Sequence, residues 1–251
     1  MSKLSFTKYE AAGNDFILID DRTQVFCTDG TSIRQLCHRK FGIGADGIIL
    51  LQLSDRADFR MRIFNSDGSE PEGCGNGLRC FVRFLLDLHI HKNTYRIAMG
   101  RQVVEARCQG EQILAQIQPA QDLKSMQVGP WPLHYVNTGV PHAVVFVPDV
   151  EKIDLLNEAP LLRKSLDANV NFASLLSDRS IRVRTFERGV EGETLSCGTG
   201  GAAVSVIAQR IYGMTNPITT SFKGGEIEVI VEPSHIQLAG KVSKIFTGFI
   251  N

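Results

Sequence analysis

Residues Phe59-Arg60-Met61-Arg62-Ile63 alternate apolar and basic side chains, a period of two that predicts a half-buried strand. The alternation returns in Ile181-Arg182-Val183-Arg184-Thr185. Tyr9 to Asp20 and Tyr135 to Val147, rich in Ile, Val and Phe, each predict strand, turn, strand. Arg101 to Ile117 and Ile218 to Gly240 predict further hairpins, turning at Gly110 and at Gly224-Gly225. The spacing changes to three and four from Asn76 to His89, where Leu78, Phe81, Val82, Leu85 and Leu88 share one helical face. A second helix is predicted from Thr199 to Tyr212; it is apolar almost all round, so it is a buried helix, with Gly213 at C′.

These elements repeat. Phe59–Asn65 matches Ile181–Glu187 at an offset of 122, and Cys74-Gly75-Asn76-Gly77 matches Cys197-Gly198-Thr199-Gly200 at 123. A glutamate stands four residues before each cysteine, Glu70 and Glu193. Gly13-Asn14-Asp15-Phe16-Ile17 lies opposite Gly139-Val140-Pro141-His142-Ala143, each leading into an apolar run. Three blocks in one order at nearly constant offset predict two similar domains, 1–120 with Cys74 and 121–251 with Cys197. The linker falls near Gln118-Pro119-Ala120-Gln121-Asp122, and the last strand is free to pack back on the first domain. The expected fold is α+β: two pseudo-symmetric domains, each a mostly antiparallel sheet or barrel wrapped around a central helix.

Composition narrows the function classes. A chain of 251 residues with 43% hydrophobic and 22% charged residues is neither disordered, collagenous nor a coiled coil. Its 27 basic and 27 acidic side chains cancel, so no basic surface is set to track nucleic acid. No apolar run approaches the ~20 residues of a membrane helix. Met1–Glu10 has no apolar core before its charges, so a secretory signal is not expected and the chain reads as cytoplasmic. Six cysteines without CxxC then read as free thiols rather than a disulfide or zinc framework. No GxGxxG after a strand, P-loop or HExxH occurs, so neither a cofactor nor a metal is expected.

Cys74 and Cys197 each precede a glycine-rich helix entry. Free N–H groups and a partial charge of ~+0.5 at a helix N-terminus favour thiolate and hold anions. Such placement can bring a cysteine pKa down to ~3.5–7.5. Two such spots related by a pseudo-twofold axis suit a reaction with bases on opposite faces of one carbon. One thiolate takes a proton from a stereocentre, the opposite thiol delivers one, and helix N–H groups hold the carboxylate that shares the carbanion's charge. The pattern therefore points to cofactor-independent epimerisation.

Gly13-Asn14-Asp15-Phe16, Phe41-Gly42-Ile43-Gly44-Ala45-Asp46-Gly47 and Phe64-Asn65-Ser66-Asp67-Gly68 resemble motifs of diaminopimelate epimerases. So do Cys74 to Cys80, Pro141-His142, Val170-Asn171, Glu187-Arg188-Gly189 and Cys197 to Gly200. The resemblance covers both domains and implies interconversion of LL- and meso-diaminopimelate for lysine and cell-wall synthesis, by a homodimer. It implies Cys74 and Cys197 as the acid/base pair, with His142 and Glu187 near the thiols to tune their protonation. It places Asn14, Asn65, Gly75, Asn76, Asn171, Glu187, Arg188, Gly198 and Thr199 at the substrate, Arg188 being suited to a carboxylate.

Two departures stand out. Val140 occupies a place where the family carries Asn, which leaves open broadened specificity or a related racemase acting on glutamate, proline or hydroxyproline. Glu187 to Cys197 is one residue longer than Asn65 to Cys74, an excess assigned to a bulge at Val190-Glu191-Gly192. A thiol protein using Cys74 and Cys80 for metal or redox work, and a non-enzymatic amino-acid binder, are weaker alternatives. Cys27, Cys37, Cys80 and Cys108 read as inert thiols, and the repeated arginines as a solvated face or inter-element ion pairs.

Overall fold

The computed structural model describes residues 3–250, so Met1, Ser2 and Asn251 lie outside the described residues. These divide into two compact units: the described residues up to Ala115 together with those from Gly240 onward, and Gln116–Ala239. The chain changes unit inside a strand rather than in the Pro119 region, and its end belongs to the first unit.

The first unit is built from β1 (Leu4–Ala11), β2 (Asn14–Asp20), α1 (Gly30–Cys37), β3 (Gly47–Gln52), β4 (Phe59–Asn65), α2 (Gly75–Asp87), β5 (Tyr95–Met99), β6 (Gln102–Gln109) and most of β7 (Gln112–Ile117). The second contains β8 (Gln121–Val128), β9 (Trp131–Asn137), β10 (Pro141–Phe146), a 3₁₀ turn (Val150–Lys152), α3 (Leu155–Leu166), β11 (Asn169–Leu175), β12 (Ser180–Glu187), β13 (Gly192–Thr194), α4 (Gly198–Tyr212), β14 (Ile218–Phe222), β15 (Gly225–Val231) and β16 (Ile236–Gly240). The terminal strand β17 (Ser243–Ile250) completes the first unit by pairing with β1.

Both sheets follow one order. In the first it is β17-β1-β2-β3-β4-β5-β6-β7, antiparallel except that β2 with β3 and β4 with β5 run parallel. In the second, β8-β9-β10-β11-β12-β14-β15-β16 has its parallel pairs at the same places, β10 with β11 and β12 with β14. A parallel pair needs a crossover, and the helices supply it: α1 and α3 cross the first parallel pair, α2 and α4 the second. Thus β3, buried on both faces, is one continuous apolar run, Gly47-Ile48-Ile49-Leu50-Leu51.

The central helices are α2, packed on β1, β2, β3, β4 and β6, and α4, packed on β9, β10, β11, β14 and β15. Leu78, Phe81, Val82 and Leu85 of α2 are fully buried among Leu18, Ile49, Met61 and Ile97. In α4, small residues let the helix approach the sheet: a Cβ at Gly201 would stand 2.8 Å from Thr220 Oγ1. Gly213 closes α4 in the left-handed region, φ 68°. The helices α1 and α3 lie outside the sequence expectation: α1 is only eight residues long and α3 carries Pro160. Asp29 caps α1, accepting from the Thr31 and Ser32 N–H groups, and α3 buries Leu155, Ala159 and Leu162 despite Pro160.

The extra residue of the second half lies in the turn from β12 to β13. Glu187 pairs with Gly192, whereas Asn65 N–H bonds Ser69 O at the matching turn. Gly189 (φ 90°) and Glu191 (φ 54°) take up the difference, and Glu191 Oε1 accepts the Gly189 N–H at 3.1 Å.

Candidate active site

In the first unit Cys74 is the N-cap of α2, with extended backbone and its Sγ accepting the Gly77 N–H at 3.4 Å. The sulfur thus takes the place of the side-chain oxygen that caps most helices. Asn14, at the start of β2, puts Oδ1 3.7 Å from that Sγ and receives Asn76 Nδ2 at 3.5 Å. Its own Nδ2 donates to Asp46 Oδ2 at 2.8 Å, which fixes the amide. Arg39 bridges Asp46 and Asp15. Burial pushes the Asp15 carboxyl up, but hydrogen bonds from Arg39 and Lys8 prevail and hold it at about 2. Asn65 is exposed at the end of β4, donating from Nδ2 to Ser69 Oγ at 3.0 Å.

The second unit repeats the cap. Cys197 Sγ accepts the Gly200 N–H at 3.4 Å and lies 3.5 Å from Thr199 Oγ1. Thr138 Oγ1 donates to Thr199 O at 2.9 Å, tying the loop before β10 to the helix entry. Here the expectation of a lowered thiol pKa fails. Burial first, then the negative charge of Glu187, pushes the Cys197 thiol well above its usual value, against the weaker pull of Thr199 and the Gly200 N–H. A helix N-terminus supplies only a partial charge, and full desolvation of a thiolate beside a carboxylate exceeds it.

His142 is fully buried on β10. Burial and the nearby Arg188 lower its pKa to about 3, so it is neutral near pH 7. Its Nδ1 lies 3.1 Å from Asn171 Nδ2, which makes it the acceptor, and its buried Nε2 has no partner. Asn171 also donates to Ala143 O at 3.1 Å and accepts from Thr185 Oγ1 at 2.9 Å. Both N–H groups of that amide and one lone pair of Oδ1 are used inside the unit, so Asn171 holds His142 in place and keeps one acceptor site. Arg188 is exposed, with Nη1 on Asp167 Oδ2 at 2.9 Å and on Asp167 O at 3.1 Å. A substrate carboxylate reaching that nitrogen must displace Asp167.

The duplicated glutamates have another partner than the thiols. Glu70 takes Arg62 Nε and Nη2, both at 2.8 Å, and Glu193 takes Arg184 Nε at 2.7 Å and Nη2 at 3.0 Å. Arg62 and Arg184, one of the two alternating arginines on each strand, therefore form two fork-on-fork ion pairs that anchor the loops leading to the cysteines. Each half presents a thiol at a helix N-terminus beside a side-chain amide. That set can exchange a proton and hold a carboxylate.

A family model for diaminopimelate epimerase matches residues 6–121 and 134–245, one stretch in each half. The diaminopimelate epimerase of Methanocella arvoryzae is 39% identical over all of this chain and 98% of its own length. That of Archaeoglobus fulgidus is 36% identical over 99% of this chain and 96% of its own. The chain belongs to the diaminopimelate epimerase family. It is an isomerase of the epimerase class. Among solved structures, a PhzF-family phenazine biosynthesis protein of Bacillus anthracis superposes with a TM-score of 0.80 at 15% identity, both chains wholly covered. A hydroxyproline epimerase of Agrobacterium vitis gives 0.71 at 15%, covering 99% of this chain and 92% of that one. These share the fold.

Within the family frame, Gly75 and Gly198 are the first residues of α2 and α4, and Asn76 and Thr199 the second. Asn14 and Asn76 gather at Cys74; Glu187, Asn171 and Thr199 gather at Cys197. Sequence reasoning passed over Asp46, Asp167 and Asn169. Asn169 Oδ1 accepts the Arg188 N–H at 2.8 Å and so aims the turn that carries Arg188. Asp46 lies inside a quoted glycine-rich motif and Asn169 just before Val170-Asn171, so the signal was adjacency to motif residues.

Proposed function

We propose that this chain interconverts LL- and meso-diaminopimelate without a cofactor, with Cys74 and Cys197 as acid and base, as a cytoplasmic homodimer supplying lysine and peptidoglycan precursors. The supporting observation is the pair of N-cap thiols, each accepting the N–H of the third helical residue in its own unit. The reaction requires the two sulfurs on opposite faces of one α-carbon. A thiolate takes the α-proton and becomes a thiol. The other thiol gives its proton to the opposite face and becomes a thiolate, so the charge is conserved and the two roles are exchanged. Free N–H groups at the helix entries stabilise the carboxylate as charge moves onto it. The full-length relatives named diaminopimelate epimerase favour this substrate over the racemase alternative.

The test is proton NMR of LL-diaminopimelate with reduced enzyme in D2O, beside a Cys74→Ala, Cys197→Ala double variant. Loss of the α-proton signal with appearance of the meso form, in the wild type alone, is the expected result. Folded, reduced enzyme that leaves diaminopimelate untouched but exchanges proline, hydroxyproline or glutamate overturns the substrate and implicates Val140.

A further inference from the structure

Arg79 lies on α2, five residues beyond Cys74, with none of its surface exposed. Its Nη2 donates to Asn76 Oδ1 at 2.8 Å, while Nε and Nη1 are buried without a partner. Gly240 closes over the guanidinium; a Cβ there would stand 3.3 Å from Nε. A buried cation without an anion strongly destabilises a fold, so a counter-charge is called for. Its electrostatic partners are Cys80, Cys74 and Glu10. Burial holds Cys80 as a thiol. Glu10, on β1, accepts the Gly13 N–H at 3.0 Å and forms no ion pair with Arg79 among the described residues. From β2 comes Asp15, already held by Arg39 and Lys8. The faces of β3, β4 and β6 against α2 are apolar: Ile49, Leu51, Met61, Ile63, Val104 and Ala106. The sulfur of Cys74 remains, reached through the amides of Asn76 and Asn14.

We propose that Arg79 is the positioning residue that supplies the counter-charge for Cys74, making Cys74 the resting thiolate and leaving Cys197 the resting thiol. The inference rests on the two-thiol reading above and adds a direction to it. The second half supports it by contrast: at an offset of 123 the place of Arg79 is taken by Ala202, and at 122 that of Asn65 by Glu187. One thiol has a buried cation near it and the other a carboxylate. Ionising Cys74 gives up the S–H contact to Asn14 Oδ1, weak at 3.7 Å, and keeps the Gly77 N–H.

The experiment is iodoacetamide alkylation against pH, resolved by peptide mass spectrometry, for Cys74 in Cys197→Ala and for Cys197 in Cys74→Ala. Cys74 is expected to reach half its limiting rate at a pH at least about one unit below Cys197. Arg79→Met, checked for folding by its thermal melt, moves the Cys74 profile up by about one unit, roughly a tenfold slower reaction at pH 7. Arg79→Lys keeps most of the wild-type profile. A folded Arg79→Met with an unchanged profile overturns the proposal. Should that variant unfold, the two single-cysteine arms with Arg79 intact decide, and coincident profiles or an earlier Cys197 overturn it. Alkylation needs no substrate, so failure of the diaminopimelate reading shows separately in the NMR exchange.

Discussion

Gly77 and Gly200 occupy the same place in the two halves, the third residue of the helix whose N–H meets the cysteine sulfur. Replacing each by alanine separates what the helix gains from what the site loses. Alanine in place of glycine in a helix is worth about 1 kcal/mol. At Gly77 the new methyl meets Ile49 Cδ1 at 3.0 Å and Ile63 Cδ1 and Met61 Cε at 3.3 Å, all ends of flexible chains. Those can give, and the overpacking roughly cancels the helical gain, for a net change within about 1 kcal/mol.

At Gly200 the methyl overlaps Asn171 Oδ1 and sits 3.2 Å from both Cβ and Sγ of Cys197. Asn171 is held by His142, Ala143 O and Thr185 Oγ1, so it cannot turn away without orphaning buried groups. Parting the two by about 1 Å to reach ordinary contact loses one or two of these bonds, at about 3 kcal/mol. After the helical gain, Gly200→Ala is expected to lose about 2 kcal/mol, a Tm lower by about 4–8 °C. A sulfur displaced on that scale slows α-proton exchange by about 10²-fold. Calorimetry and D2O exchange on both variants read the two effects. Gly200→Ala as stable as wild type, or less damaging than Gly77→Ala, refutes the contact between Asn171 and the α4 entry.

Arg184→Met removes bonds to Glu193 and to Val150 O and Ile153 O, and is expected to cost about 3 kcal/mol in urea unfolding, while Arg182→Met, on the better-exposed pair with Glu151, stays within about 1 kcal/mol. His142 has a folded pKa of about 3 against 6.5 when unfolded, so acid protonates the unfolded chain first. Stability is then full above about pH 6.5 and falls as pH drops towards 3. A His142→Gln variant with the same slope of urea midpoint against pH as wild type over that window defeats this assignment.

What could be seen in the sequence was what repeats locally. The strand β4 and its counterpart in the repeat, β12, announced themselves by alternation, α2 by its three-and-four spacing, and the cysteine entries by identical glycine context. The helices α1 and α3 did not: one has only eight residues, too few for its period to stand out, and the other contains Pro160. The pairing of β17 with β1 was left open because a terminal strand's partner depends on contacts nearly a whole chain apart.

The roles of the site residues were harder to see for a related reason. The equivalence of Cys74 and Cys197 is a matter of sequence position, but their protonation depends on burial and on neighbours brought in by other strands. Helix N-terminus reasoning treats both thiols alike, and it fails at Cys197 because Glu187 reaches it from β12 and desolvation exceeds a half-charge. Asn171 shows the same thing for hydrogen bonding: its motif suggested a ligand, and β10 and β12 take both of its N–H groups and one lone pair of Oδ1, which leaves that oxygen one acceptor site. On the proposed two-thiol reading one thiol holds a proton while the other lacks it, and two identical environments would give no preferred starting state. Cation near one sulfur and carboxylate near the other break that degeneracy, and the repeat supplies the difference by changing two residues, Arg79 for Ala202 and Asn65 for Glu187, around an unchanged cap.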